Sequence, residues 1–208
     1  MAFEFDIPTA PFQTNYFSID AENLVFHDTQ MVVADIVGFS YGTTFNFDAN
    51  GIRVSTSYFF NFMDNSSDVI AFWMYDGPPF NSNEIFMTNT SLINYIWVYF
   101  GNRLLLQMIQ SIHNGNNVKV GELTLNHTGI HFTYQTIAAP PSNHTINWDA
   151  LTFRIIDEII TVSSWTNGGI QKGISLKTEL NAHLFKAICE LVQQNKLSPD
   201  VLTGKRQP

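Results

Sequence analysis

The stretch SLINYIWVYFGNRLLLQMIQSIHNG, Ser91 to Gly115, limits what this chain can fold into more than any other segment. Ile93, Ile96, Trp97, Phe100, Leu104, Met108 and Ile112 recur at spacings of three and four, which gathers them on one side of an α-helix. Ser91 is a suitable N-cap and Gly115 a suitable stop, so the spacing predicts a helix over 91–114. A membrane span needs roughly 20 consecutive apolar residues. Asn94, Asn102, Arg103, Gln107 and Gln110 interrupt this run too often for that, and the expectation is a helix of a protein core.

A core of that kind is within reach of the composition. Hydrophobic residues make up 45% of the 208 and charged residues 13%, so the surface must rely on Asn, Thr, Ser and Gln. Eighteen Phe, seven Tyr and four Trp favour strands. Before the helix, FEFDI, Met31–Tyr41 and Ile52–Phe62 read as strands, and Val69–Tyr75 as a buried one. Asp48–Gly51 and Asp64–Ser67 read as turns. Asp76–Pro79 ends the last strand, and a polar loop runs from there to Asn89. After the helix, Val118–Leu125, Ile130–Tyr134, Thr145–Ile156, Ile159–Trp165 and Gly173–Leu176 repeat the strand pattern, with Asp157-Glu158 as a turn. A second helix is expected over 178–195, with Leu180, Leu184, Ile188 and Leu191 or Val192 as its stripe, then a polar tail, Gly204–Pro208.

Strands then helix, twice, predicts two related units: residues 1–115 and residues 116–208. A weak internal match agrees, pairing Val32-Val-Ala-Asp35-Ile-Val-Gly-Phe39 with Ile146-Asn-Trp-Asp149-Ala-Leu-Thr-Phe153.

Val118–Phe132 (VKVGELTLNHTGIHF), Ile146–Asp149 (INWD) and Asn181–Phe185 (NAHLF) resemble segments of bacterial pleckstrin-homology-like (PH-like) proteins. The resemblance covers most of 116–195 and, more faintly, 16–114. It implies an α+β, mainly β fold: two PH-like antiparallel barrels or bent sheets in tandem, each closed by a C-terminal helix. It also implies a binding or scaffolding module. The phosphoinositide binding of that family does not carry over, because the loops His27–Gln30 and Gln135–His144 contain neither Lys nor Arg.

Charge narrows the partners. Residues 1–100 carry eleven acids against Arg53 alone, whereas residues 101–208 carry nine Lys and Arg against seven acids. An acidic first half disfavours nucleic acid and anionic membranes, which both need clustered Lys and Arg. The opening MAFEFDIPTAPF lacks the basic start and apolar core of a secretory signal, and a single cysteine, Cys189, cannot form an internal disulfide. Both lead to an expected cytoplasmic location.

No catalytic constellation emerges. His127 and His131 lie four apart, but on a strand pattern broken by Gly129, and a metal would need His144 to join them. Cys189 has no His or Asn arrangement around it and reads as a small buried hydrophobe. Trp148-Asp149 reads as sheet packing ahead of a ligand site, and Arg103 as a charge leaving the core through its stem or pairing with an acid. The surplus of aromatics around Tyr58, Phe60, Phe62, Trp73 and Tyr75 exceeds what one sheet face buries, leaving a second face for the other unit, a second copy or a ligand. Candidate binding residues are therefore Tyr58, Phe60, Phe62, Trp73, Tyr75, Arg103 and Trp148, with no catalytic residue, metal or cofactor expected. The expected function is non-catalytic binding or scaffolding, by protein–protein contact or self-association. The alternative is a barrel that binds a small molecule or lipid.

Overall fold

The computed structural model describes residues 2–136, 139–167, 169–194 and 196–203. By its internal contacts the chain divides into two compact units, Met1–Leu104 and Leu105–Pro208.

In the first unit, β1 (Phe3–Ala10), β2 (Gln13–Ile19), β3 (Asn23–Phe26) and β4 (Thr29–Val32) form a four-stranded antiparallel meander. A 3-10 turn, Val33–Asp35, ends it. A three-stranded meander follows, of β5 (Ile36–Phe47), β6 (Arg53–Asp64) and β7 (Val69–Asp76). Its turns form where Asp supplies a local acceptor. The Asp48 carboxylate accepts from the backbone of Asn50 and Ile52, and Asp64 does the same for Ser66 and Asp68. Strict alternation sorts the aromatics: Tyr58, Phe60 and Phe62 on β6 and Phe72 on β7 are buried, while Trp73 on the other face is 44% exposed. Phe72 stacks on Phe26 at 4.5 Å, and Phe62 meets Phe100 edge-on at 5.9 Å. A fully buried ring such as Phe62 or Phe100 contributes about 1.5–3 kcal/mol.

Three consecutive helical segments follow: α1 (Ser82–Ile96), a π turn (Trp97–Gly101) and α2 (Asn102–His113). The helix begins earlier than the sequence predicts. Asn81 is the N-cap, its side chain accepting from the Asn83 amide at 3.0 Å, and Ser91 lies inside α1. The segment expected as a polar loop hides a helix because Ile85, Thr88 and Leu92 are its buried side, while Ser82, Asn83, Glu84, Asn89, Thr90 and Ser91 around them are polar and even the apolar Phe86 and Met87 face solvent.

In the second unit, β8 (Val118–Val120), β9 (Leu123–Asn126), β10 (Gly129–Thr136) and β11 (Ala139–Ile146) form a four-stranded sheet. A 3-10 turn, Trp148–Ala150, leads to the three-stranded sheet of β12 (Leu151–Ile156), β13 (Ile159–Ser164) and β14 (Gln171–Ser175). Gly129 adopts a φ of +148°, and a Cβ there would collide with the Ile146 carbonyl. Asp157 and Glu158 both adopt left-handed backbone between paired Ile156 and Ile159, the two-residue turn that suits a twisted hairpin. α3 (Ala182–Gln193) buries Leu184, Phe185, Ile188 and Cys189, and α4 (Pro199–Thr203) follows.

Two barrels, each closed by its own C-terminal helix, do not form. The strands make four separate antiparallel sheets, none closed on itself, and the one long helical run is not matched in the second unit, where α3 has 12 residues. The physical reason lies at the 3-10 turns. There the chain leaves one ladder and starts another, and among the described residues no ladder of backbone bonds joins β4 to β5 or β11 to β12. Side-chain alternation reveals strands but not which edges pair. The two units nonetheless share an element order: four-stranded sheet, 3-10 turn, three-stranded sheet, helix. The structural correspondence sets Val33 against Trp148, one residue out from the match on Asp35 and Asp149. The expected tail Gly204–Pro208, Asn195 at the end of the second helix, Gly168 and part of the loop Gln135–His144 lie outside the described residues. Among the described residues no helix is long and apolar enough to cross a membrane.

Candidate functional site

The register of β5, β6 and β7 brings Phe45, Thr56 and Asp76 to one face at the end of the sheet, because Thr56 pairs with both of the others. The same face continues into the buried aromatics Tyr58, Phe60 and Phe62. Asp76 therefore sits where an apolar side chain would prolong the core. It is 7% exposed, and one of its carboxylate oxygens, Oδ1, has no hydrogen-bond partner among the described residues. The Tyr58 hydroxyl lies close enough to the Asp76 carboxylate to feel its charge. Burial pushes the Tyr58 pKa above its ordinary value; the Asp76 charge adds to this, and Arg53 opposes it more weakly.

Arg53 stands at the start of β6, with its guanidinium 4.6 Å from the centre of the Phe45 ring and Nη2 donating to the Thr56 hydroxyl. Gly77 follows Asp76 because space allows nothing larger: a Cβ would lie 2.6 Å from the Tyr75 hydroxyl and 2.9 Å from Ser55 Cβ. The chain then passes through Pro78-Pro79 to Ser82, the first residue of α1. These residues bound a cleft of about 250 Å³ lined by Arg53, Ser55, Thr56, Asp76, Gly77 and Ser82, together with the side of Val54. Its chemistry is one carboxylate, one guanidinium and three hydroxyls, with neither histidine nor cysteine in the lining. Leaving a neutral buried acceptor unpaired costs about 1–3 kcal/mol, and a charged one more, so positive charge brought to this carboxylate is favoured.

Exposed apolar side chains adjoin this cleft. Phe45, Phe47, Ile52 and Val54 are 53%, 60%, 63% and 50% exposed, all at the turn end of the β5–β6 hairpin.

The residues expected from sequence fall into different roles. Phe60 and Phe62 are core, and Tyr58 is buried against Asp76. Trp73 and Tyr75 lie on the opposite sheet face, Trp73 against Phe59 at 4.9 Å and Tyr75 edge-on to Phe80 at 6.4 Å. Arg103 donates through Nη2 to the carbonyls of Val33 and Ile36, both at 3.0 Å, and so ties the helical run to the 3-10 turn. Trp148 is 1% exposed and donates through Nε1 to the Asn126 carbonyl at 2.8 Å.

The histidines do not converge on one centre. His127 lines a cleft of about 290 Å³ in the second unit with Trp148, Asp149 and Asp200, whereas His131 and His144 line another of about 310 Å³. Both ring nitrogens of His131 are engaged, Nδ1 with Thr145 at 2.9 Å and Nε2 with Thr128 and Asn126 at 2.8 and 2.9 Å. Burial, then the neighbouring His127, pushes its pKa down. Among the described residues no group of three His, Cys, Asp or Glu is placed to hold a metal ion.

Sequence reasoning took Asp76 for a strand-ending turn residue and Arg53 for the lone base of an acidic half. The available signal was the run Met74-Tyr75-Asp76, in which alternation from buried Phe72 and Met74 puts Asp76 inward. No family model, curated protein or solved structure matches this chain.

Proposed function

We propose that this chain is a non-catalytic binding protein that associates with protein, a second copy of itself first among the partners to be tested. The observation that carries this reading is the group of four half-exposed apolar residues, Phe45, Phe47, Ile52 and Val54, at one end of the β5–β6 hairpin. Apolar residues grouped in this way favour contact with another surface over contact with water. A non-catalytic role suits the cleft beside them, whose single carboxylate shares the lining with an arginine, a base too strong to exchange protons near neutral pH, and with hydroxyls. Arg53 is the sole Lys or Arg in residues 1–100, which sets this end against nucleic acid and phosphoinositide surfaces. A cytoplasmic setting accords with the lone thiol of Cys189, which is buried and free.

Size-exclusion chromatography with light scattering across a concentration series tests association. The average mass is expected to rise above 23.6 kDa with concentration, and to fall back in Phe47→Ser with Ile52→Ser. A mass that stays monomeric at every concentration removes self-association. The lipid-barrel reading loses its container, since no sheet closes on itself. Binding of a small polar molecule rests instead on the Asp76 cleft.

A further inference from the structure

We propose that the Asp76 cleft is a recognition site for one organic cation, an alkylammonium or guanidinium group. The inference stands on the cleft and not on the hairpin end, so it does not depend on self-association.

Asp76 is more than nine-tenths buried and lines the cleft, yet Oδ1 has no partner among the described residues. Among the described residues no side chain donates to Oδ1, which is shut off from solvent, so a cation in the cleft neutralises the carboxylate from the side that Asp76 gives to the lining. A carboxylate accepts more strongly from a charged donor than from a neutral one, and the fit is best for N⁺–H. Arg53 lines the same cleft without filling this role: its Nη2 donates to Thr56 and its guanidinium carbon sits over the Phe45 ring, 4.6 Å from its centre. At Tyr58 the influence of the Asp76 charge exceeds that of Arg53. The surroundings reinforce it, with eleven acids in residues 1–100 and Arg53 alone against them.

A metal ion is a poorer occupant. Calcium takes about six to eight oxygens, commonly from several carboxylates, and this lining offers one carboxylate and three hydroxyls. An organic cation needs fewer partners and brings an alkyl stem, for which Val54 supplies an apolar wall. The cation can arrive as a free amine or as a Lys or Arg side chain of a protein, and the chemistry at Asp76 is the same.

The test is an amide-resolved NMR titration of the full chain with N-acetyl-lysine methylamide and, as the uncharged counterpart, N-acetyl-norleucine methylamide. Saturable shifts at Thr56, Gly77 and Ser82 with the lysine probe alone are the expected result. Equal shifts with both probes, or none with either, overturn the proposal. Asp76→Asn is expected to weaken the response by about thirtyfold or more, as for loss of one partner of a buried charge pair. Should that variant fold poorly, Arg53→Gln decides: removing a competing positive charge is expected to tighten cation binding about threefold. Unchanged or weaker binding in that variant overturns the assignment. A lysine-containing peptide that binds at least about tenfold more tightly than the amino-acid probe identifies a protein side chain as the source. Equal affinity identifies a free amine, and both results support the cation site.

Discussion

Replacing Arg103 with Met tests whether this charge is a structural tie or a surface feature. The substitution keeps an unbranched apolar stem and removes the guanidinium. Two hydrogen bonds are lost, to the carbonyls of Val33 and Ile36, both at 3.0 Å. Val33 is 3% exposed and Ile36 fully buried, so little water can replace the lost donor. Hydrogen bonds to a charged partner contribute about 1.5–3 kcal/mol each. The two share one donor nitrogen, which argues for the lower end of the range, about 3 kcal/mol together. With a urea m-value of about 2 kcal/mol/M, the unfolding midpoint should fall by about 1.5 M with the slope unchanged. Urea unfolding followed by far-ultraviolet circular dichroism reads this directly. Arg103→Lys should recover only part of it, because the ammonium sits on a shorter side chain than Nη2 and falls short of the two carbonyls. Hydrogen exchange at residues 33–36 should accelerate in Arg103→Met. A loss below about 0.5 kcal/mol, typical of a surface substitution, would refute the structural tie and return Arg103 to the binding candidates.

Other expectations follow from particular contacts. Gly77→Ala should destabilise the first unit by about 1–3 kcal/mol, since its Cβ would press on Tyr75 and Ser55, and Tyr75→Ala in the same chain should relieve part of the loss, as measured by unfolding midpoints. Phe47→Ser with Ile52→Ser should leave stability within about 0.5 kcal/mol while reducing association, because both side chains are mostly in water in the single chain. Burial raises the Cys189 thiol pKa, so the folded state keeps the proton that the unfolded chain releases near pH 8.5. This contribution to stability is fully present below that pH and is lost as pH rises above it. Cys189→Ala should therefore flatten the decline in the unfolding midpoint between pH 8 and about pH 10, and in the native protein the thiol should react with a disulfide reagent only as fast as the fold opens. An unchanged decline with pH would show that another group sets it.

The sequence by itself determined the elements whose side chains must be sorted between water and core. Ile52–Phe62 alternates, and β6 forms over Arg53–Asp64 with Tyr58, Phe60 and Phe62 inward. Phe100, Leu104, Met108 and Ile112 recur at helical spacing, and all are buried along the helical run. The repeated order of strands and helices was legible for the same reason. The start of α1 was not, because a helix that buries only Ile85, Thr88, Leu92 and Ile96 shows mostly polar residues and reads as a loop.

Only the tertiary structure decided which strand edges pair and what lies at the end of each face. Alternation is the same in a closed barrel and in two separate sheets, so the break at the 3-10 turns carried no periodic signal. Asp76 shows the point most sharply. Its neighbours Gly77 and Pro78 mark it as the end of a strand, the usual place for a solvated acid. The pairing of Thr56 with Asp76, which no local pattern specifies, carries that residue inside beside Tyr58 and into the lining of the cleft.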